Sequence, residues 1–101
     1  MRVVVVDDEA PARRKMLRLL SPHTDVEVVG EAGSGEAAIE AIERAAADVV
    51  FLDVQMPDMD GFEVLRRTRG PQTFLPVFVT AYDAFAVKAF EVNALDYLLK
   101  P

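Results

Sequence analysis

The chain has 101 residues, of which 51% are hydrophobic, and carries a formal net charge of −6. This length accommodates a single domain, residues 1–101, and the apolar content is sufficient to form a core. The absence of cysteine excludes disulfides and thiolate metal sites, and a single histidine, His23, excludes a histidine-rich metal site. The acidic balance disfavours direct contact with nucleic-acid phosphates or an anionic membrane.

Targeting features are not evident in the sequence. No apolar run reaches the roughly 18–20 residues that span a bilayer. The chain begins with Met1-Arg2 and continues directly into an apolar strand, without the pattern of a secretory signal. We therefore expect a cytoplasmic domain.

The first half of the chain alternates strand and helix patterns. Residues 3–6 are four valines, which is typical of a strand buried on both faces. A helix follows, with Pro11 in its first turn and an apolar stripe that ends at Leu20. Residues 26–29 alternate only in part and predict an edge strand. Ser34 is a suitable cap for the next helix.

The second half continues this alternation. Residues 49–52 are wholly apolar and predict a third strand, and Asp60 is a candidate cap for the helix that follows. Residues 76–79 predict a fourth strand, Asp83 begins a predicted helix through residue 92, and residues 95–99 predict a fifth strand. This order predicts an α/β fold, a doubly wound five-stranded parallel sheet with helices on both faces.

Polar residues follow four of the five predicted strands, at the edge where parallel sheets bind ligands. They are Asp7, Asp8 and Glu9 after the first strand, Asp53 after the third, Thr80 after the fourth and Lys100 after the fifth. Each follows an apolar run that fixes its backbone, so we expect these groups to converge.

The chemistry of these groups points to phosphoryl transfer. Clustered carboxylates repel one another unless a cation binds, and oxygen ligands suit a hard cation, Mg²⁺ or Mn²⁺. Asp53 lies in the middle of the edge, the best position for a carboxylate nucleophile. Thr80 and Lys100 suit the oxygens of a phosphoryl group. The residues therefore predict a Mg²⁺-dependent phosphoryl acceptor at Asp53.

Several short motifs recur here in a characteristic order and spacing. They are Val6-Asp7-Asp8-Glu9, Leu52-Asp53, Met56-Pro57, Asp60-Gly61, Thr80-Ala81 and Leu99-Lys100-Pro101. Over essentially its whole length the chain resembles bacterial response-regulator receiver domains. The resemblance implies a flavodoxin-like strand order, 2-1-3-4-5. It also implies that a sensor histidine kinase phosphorylates Asp53.

The same resemblance implies a role for each matching residue. Asp8 and Asp53 would bind the metal ion through their side chains, Gln55 through its backbone carbonyl and Asp7 through water. Many members of the family carry Asn or Asp where this chain has Gln55, but only the carbonyl is required of that position.

Three residues of the second half would act on the phosphoryl group or respond to it. The resemblance implies that Thr80 and Lys100 contact the phosphoryl group. Thr80 and Tyr97 would form the switch that transmits phosphorylation to the rest of the domain. The resemblance thus implies a phosphoacceptor switch rather than an enzyme, apart from its own phosphorylation and dephosphorylation.

Residues 80–97 are similar to the subgroup whose receiver precedes a LytTR-type (LytR/AlgR-like) DNA-binding domain. This similarity implies transcriptional output in a two-component phosphorelay. DNA binding would reside in that further domain, with no direct nucleic-acid contact by residues 1–101.

Three other functions fit parts of the pattern. A phosphatase of the haloacid-dehalogenase type also places an Asp after an apolar strand, but it needs a second Asp where this chain has Gln55. A flavodoxin-like flavin carrier needs a loop rich in Ser, Thr and Gly where this chain has Asp7-Asp8-Glu9. A degenerate receiver that binds partners without phosphorylation is disfavoured by the intact acidic edge.

Two further patterns are given simpler interpretations. Residues 33–38 formally match a dinucleotide fingerprint, but they follow an edge strand in a short chain and predict a turn and helix start. Basic residues of the first helix are interpreted as its solvated face, with docking of an acidic partner surface as the alternative. These are Arg13, Arg14, Lys15 and Arg18.

No fifth helix follows the fifth predicted strand, so we expect a receiver truncated before that helix. With one helix nearly alone on its side of the sheet, the strands at 3–6 and 95–99 would expose apolar side chains to water. Exposed apolar area of this kind favours association, so we expect a homodimer.

Overall fold

Five parallel strands form one sheet in the order β2-β1-β3-β4-β5. The computed structural model describes residues 1–68, 74–80 and 96–99, and for Thr80 and residues 96–99 it describes the backbone alone. The strands are β1 (Arg2–Val6), β2 (Glu27–Ala32), β3 (Val49–Leu52), β4 (Leu75–Thr80) and β5 (Asp96–Leu99). The predicted fold class and strand order are therefore confirmed.

Three helices lie within the described ranges, α1 (Ala10–Leu20), α2 (Gly35–Ala45) and α3 (Gly61–Arg67). The helix predicted from Asp83 lies outside the described residues. None of the described helices has the length and apolarity needed to cross a bilayer. The largest boundary difference is in β2, which continues past the predicted end at residue 29 because β1 pairs with it as far as Ala32.

Side chains cap two of the helices as the sequence predicts. The Ser34 hydroxyl accepts a hydrogen bond from the Ala37 N–H at 3.1 Å, at the start of α2. The Asp60 carboxylate accepts from the Glu63 N–H at 2.8 Å, at the start of α3. These bonds satisfy N–H groups that have no partner within the helix.

The larger part of the core lies between the sheet and helices α2 and α3. Alternate residues of β1 point to opposite faces, and Val4 and Val6 point into this larger core. Phe62 of α3 and Phe78 of β4 pack there with ring centroids 4.8 Å apart. Packing in this core therefore holds α3 against the carboxyl end of β3.

The opposite face of the sheet is covered by α1, which corrects one expectation. Val3 and Val5 of β1 are 0% and 2% exposed, because they pack with the apolar stripe of α1 that ends at Leu20. The prediction that β1 exposes apolar side chains to water is wrong. The corresponding side chains of residues 95–99 lie outside the described residues.

Candidate functional site

Three aspartates converge at the carboxyl ends of β1 and β3. Asp7 and Asp8 directly follow β1, Asp53 directly follows β3, and these two strands are neighbours in the sheet. One carboxylate oxygen from each aspartate lies within 4.8 Å of the other two. Asp7 and Asp53 are 6% and 5% exposed, and Asp8 is half-buried. The structure thus brings together the three acidic residues that the sequence placed at this edge.

Backbone hydrogen bonds hold this acidic cluster in place. The Asp7 N–H donates to the Ala32 carbonyl at 3.1 Å, and the Asp53 N–H donates to the Val6 carbonyl at 3.0 Å. The Asp7 carboxylate accepts from the Glu9 N–H at 2.9 Å. Two buried carboxylates close to a third are costly unless a cation or hydrogen bonds offset their charge. The all-oxygen donor set fits a hard divalent cation.

Gln55 lies beside this cluster. Its side chain is exposed, and its backbone N–H donates to the Asp53 carboxylate at 3.3 Å. This local hydrogen bond holds the Asp53 side chain against the start of the loop that follows β3. The predicted role of the Gln55 carbonyl stays a prediction.

The remaining predicted residues belong to β4, β5 and the segment after β5. Thr80 is the last residue of β4 and pairs with Leu99 of β5, at the edge of the sheet that carries the aspartates. The backbone of Tyr97 pairs with Phe78. Lys100 lies outside the described residues. The phosphoryl contacts of Thr80 and Lys100 and the switch role of Tyr97 stay predictions.

Gly61 has a packing role that the sequence showed only as part of a motif. Its N–H donates to the Val54 carbonyl at 2.7 Å. A Cβ at this position would lie 2.7 Å from the Asp53 carbonyl oxygen and 3.1 Å from Phe78 Cε1. The first residue of α3 must therefore lack a side chain, because the helix starts against the backbone of Asp53.

Asp58 connects the loop after β3 to the start of α2 through hydrogen bonds. Its two carboxylate oxygens accept from the Gly35 N–H at 2.9 Å and the Glu36 N–H at 3.1 Å. These bonds, that from Gly35 foremost, hold the pKa of the Asp58 carboxyl below its ordinary value of 3.8. Met59 packs beside Gly35, where a Cβ would collide with its side chain. Sequence analysis missed this contact because its partners are far apart in the chain.

We expect Asp58→Asn to lower the free energy of unfolding near neutral pH. The free energy of unfolding of this variant should also depend less on pH in the acid range. The pKa of Asp58 is lower in the folded than in the unfolded state, so the carboxylate stabilises the fold above about pH 3.8. That stability is lost as the pH falls through the folded-state pKa. Urea titrations from about pH 6 to about pH 3 would measure the difference between the two proteins.

Asp25→Asn is a suitable control for this experiment, because it removes the same charge from an exposed turn. Wild-type and Asp58→Asn curves that run parallel through the acid range would show that the Asp58 carboxylate contributes nothing as an ion.

The basic face predicted for α1 is only partly correct. Arg14, Lys15 and Arg18 are exposed as expected. Arg13, however, turns toward the acidic cluster, and its guanidinium donates to the Asp7 backbone carbonyl at 2.7 Å. The interpretation of Arg13 as part of the solvated face is wrong.

The fold and site together define a class of protein. A parallel sheet in this order, with aspartates clustered at the ends of β1 and β3, is that of a flavodoxin-like signalling domain. The chain belongs to the response regulator receiver domain family, whose sequence profile matches residues 3–101. This membership decides against the phosphatase and flavin-carrier alternatives.

Individual relatives agree with this assignment. The chain is 46% identical over 104 residues to the sensory transduction protein LytT of Bacillus cereus, covering 100% of the chain and 42% of LytT. It is 44% identical over 101 residues to the transcriptional regulatory protein BtsR of Salmonella typhi, again covering 100% and 42%. The chain thus spans less than half the length of these relatives.

A solved structure shows the same architecture. The response regulator domain of Thermotoga maritima CheB superimposes with a TM-score of 0.91 at 30% sequence identity. The match covers 100% of this chain and 78% of the CheB chain.

Proposed function

We propose that this receiver domain accepts a phosphoryl group on Asp53 from the phosphohistidine of a sensor histidine kinase, in a reaction that requires Mg²⁺ or Mn²⁺. The observation that carries the proposal is the convergence of Asp7, Asp8 and Asp53, whose oxygens lie within 4.8 Å of one another. A buried carboxylate close to two others is suited to attack phosphorus only when their common charge is offset.

In the proposed step, an Asp53 carboxylate oxygen attacks the phosphorus atom of phosphohistidine. A P–O bond forms, the P–N bond breaks, and the imidazole leaves with the bonding electron pair and takes up a proton from solvent. A cation held at this cluster would neutralise charge on the phosphoryl oxygens. Asp8, Asp53 and the Gln55 carbonyl would hold it directly, and Asp7 through water.

Thr80 and Lys100 would contact the phosphoryl oxygens once they are attached to Asp53. Thr80 ends β4, the neighbour of β3, and Lys100 follows β5, the next strand of the sheet, which supports this role. Thr80 moving toward the phosphoryl group, with Tyr97 turning into the vacated space, would shift the domain between two conformations. Discrimination of about 5.5 kcal/mol between the two states carries such a switch from 1:99 to 99:1.

The larger protein and its partners follow from the same proposal. Residues 1–101 form the receiver, and a LytTR-type DNA-binding domain of the full-length protein regulates transcription. The similarity to LytT and BtsR supports this output. The receiver would act in the cytoplasm as a homodimer and a phosphoacceptor switch, and would contact neither nucleic acid nor membrane itself.

Mass spectrometry of the intact protein tests the proposal. Incubation with a small phosphodonor such as acetyl phosphate and Mg²⁺ should add the mass of one phosphoryl group. The adduct should be lost in base, as expected for an acyl phosphate, and should not form when EDTA replaces Mg²⁺. A wild-type protein that stays unlabelled, or that labels equally in EDTA, would contradict the proposed chemistry.

We expect millimolar Mg²⁺ to raise the melting temperature, because a ligand that binds only the folded state stabilises it by RT ln(1 + [L]/Kd). At tenfold the Kd this is about 1.4 kcal/mol. Asp8→Asn should abolish most of the gain while stabilising the metal-free protein, since it removes one of the mutually repelling charges. Thermal melts with and without Mg²⁺ measure both effects.

Asp25→Asn provides the control for net charge, because it lies in an exposed turn and should keep the full Mg²⁺ response. An undiminished Mg²⁺ response in Asp8→Asn would exclude Asp8 as a ligand.

A further inference from the structure

Arg13 joins three segments around the acidic cluster. Its Nη1 donates to the Asp7 backbone carbonyl at 2.7 Å, and its Nε lies 3.8 Å from the Glu31 carboxylate at the end of β2. The side chain is only 23% exposed. Its guanidinium lies against Gly33, where a Cβ would come within 3.0 Å of Nη1. The side chain is thus held between the loops that follow β1 and β2.

The Asp7 carbonyl belongs to the peptide bond that links Asp7 to Asp8. That unit is planar and contains the Cα atoms of both residues, so a hydrogen bond to its oxygen restrains the orientation from which both side chains project. The Asp7 N–H is already held by the Ala32 carbonyl at 3.1 Å. Arg13 therefore supplies a further backbone restraint at the point where the chain leaves β1.

The positive charge of Arg13, taken alone, opposes cation binding. A guanidinium bound to the Asp7 backbone carbonyl is a positive charge next to the cluster, and it lowers the attraction of the cluster for a divalent cation. If Arg13 acted only as a nearby charge, removing it would tighten cation binding. A positioning role and a purely electrostatic role therefore predict changes of opposite sign.

We propose that Arg13 is a positioning residue for divalent-cation binding, and that its hydrogen bond to the Asp7 carbonyl sets the geometry of Asp7 and Asp8. This inference rests on the proposed function of the site as a Mg²⁺ site. Gly33 is part of the arrangement, because it leaves space for the guanidinium.

The test is calorimetric titration of the purified protein with MgCl₂ at an ionic strength of about 0.15 M, where exposed charges are screened. Arg13→Gln should weaken Mg²⁺ binding by about tenfold, the lower end of the range for residues that orient metal ligands. Arg14→Gln removes the same charge from an exposed neighbour on the same helix and should stay within about twofold of wild type. Arg13→Lys should recover most of the affinity, since its ammonium can donate a hydrogen bond to the same carbonyl.

Gly33→Ala places a methyl group 3.0 Å from Nη1, so the guanidinium must shift by a few tenths of an ångström with no change of charge. It should weaken Mg²⁺ binding in the same direction by a smaller factor. If circular dichroism shows that Arg13→Gln does not fold, Gly33→Ala serves as the test of the positioning role. Wild-type Mg²⁺ affinity in folded Gly33→Ala would then overturn the inference.

The outcomes distinguish failure of this inference from failure of the proposed function. A wild-type protein that binds no Mg²⁺ overturns the proposed function. A wild type that binds Mg²⁺, with Arg13→Gln binding as tightly or more tightly, overturns the positioning role alone. Affinity as low in Arg13→Lys as in Arg13→Gln would overturn the hydrogen-bond mechanism.

Discussion

Replacing Asp53 with asparagine is expected to reduce phosphorylation by a small phosphodonor to the background level. The amide has nearly the same shape as the carboxylate but lacks the anionic oxygen that would attack phosphorus. Asp53 is 5% exposed and lies directly after β3, so the variant tests the nucleophile in a preserved setting. Intact-mass measurement after incubation with acetyl phosphate and Mg²⁺ gives the labelled fraction.

Asp58→Asn is the matched control for this experiment, because it lies in the same loop and changes the same functional group. Its carboxylate is engaged with the start of α2, so the variant should still label. An Asp53→Asn protein that labels as fully as wild type would show that the acceptor is another residue. Fragment-ion mapping of the wild-type adduct would then locate it.

Gly61→Ala is expected to destabilise the fold by about 1–3 kcal/mol, the usual cost of forcing an extra carbon into a packed site. The added Cβ would lie 2.7 Å from the Asp53 carbonyl oxygen, so either the backbone after β3 or the start of α3 must move. Alanine has the better intrinsic helix propensity, so a measured loss would come from this contact. Urea denaturation gives the change in free energy of unfolding.

Gly30→Ala makes the same chemical change where there is room for it. A Cβ at position 30 would lie 3.5 Å from Val4 Cγ2 and 3.7 Å from Ala41 Cβ, which are ordinary contacts. Its effect on stability should therefore be much smaller than that of Gly61→Ala. Equal losses in the two variants would argue against the close approach of α3 to Asp53.

The sequence by itself determined the strands, the edge at which polar residues meet and two of the helix caps. These features depend on local patterns, since apolar β-branched runs form buried strands and parallel strands end at a common edge. Asp7 and Asp53 therefore converge as predicted, and Ser34 and Asp60 cap the helices they precede. The strand order came from the resemblance to a family.

The tertiary structure decided which residues support the site and which are buried. The sequence predicts that Arg13 is solvated, and only the packing of α1 on the sheet turns its side chain toward the Asp7 carbonyl. The capping of α2 by Asp58 and the burial of Val3 have the same cause. Each of these contacts joins segments that are distant in sequence and that packing brings together. The sequence could not predict them, because periodicity and capping patterns depend only on residues that are near neighbours along the chain.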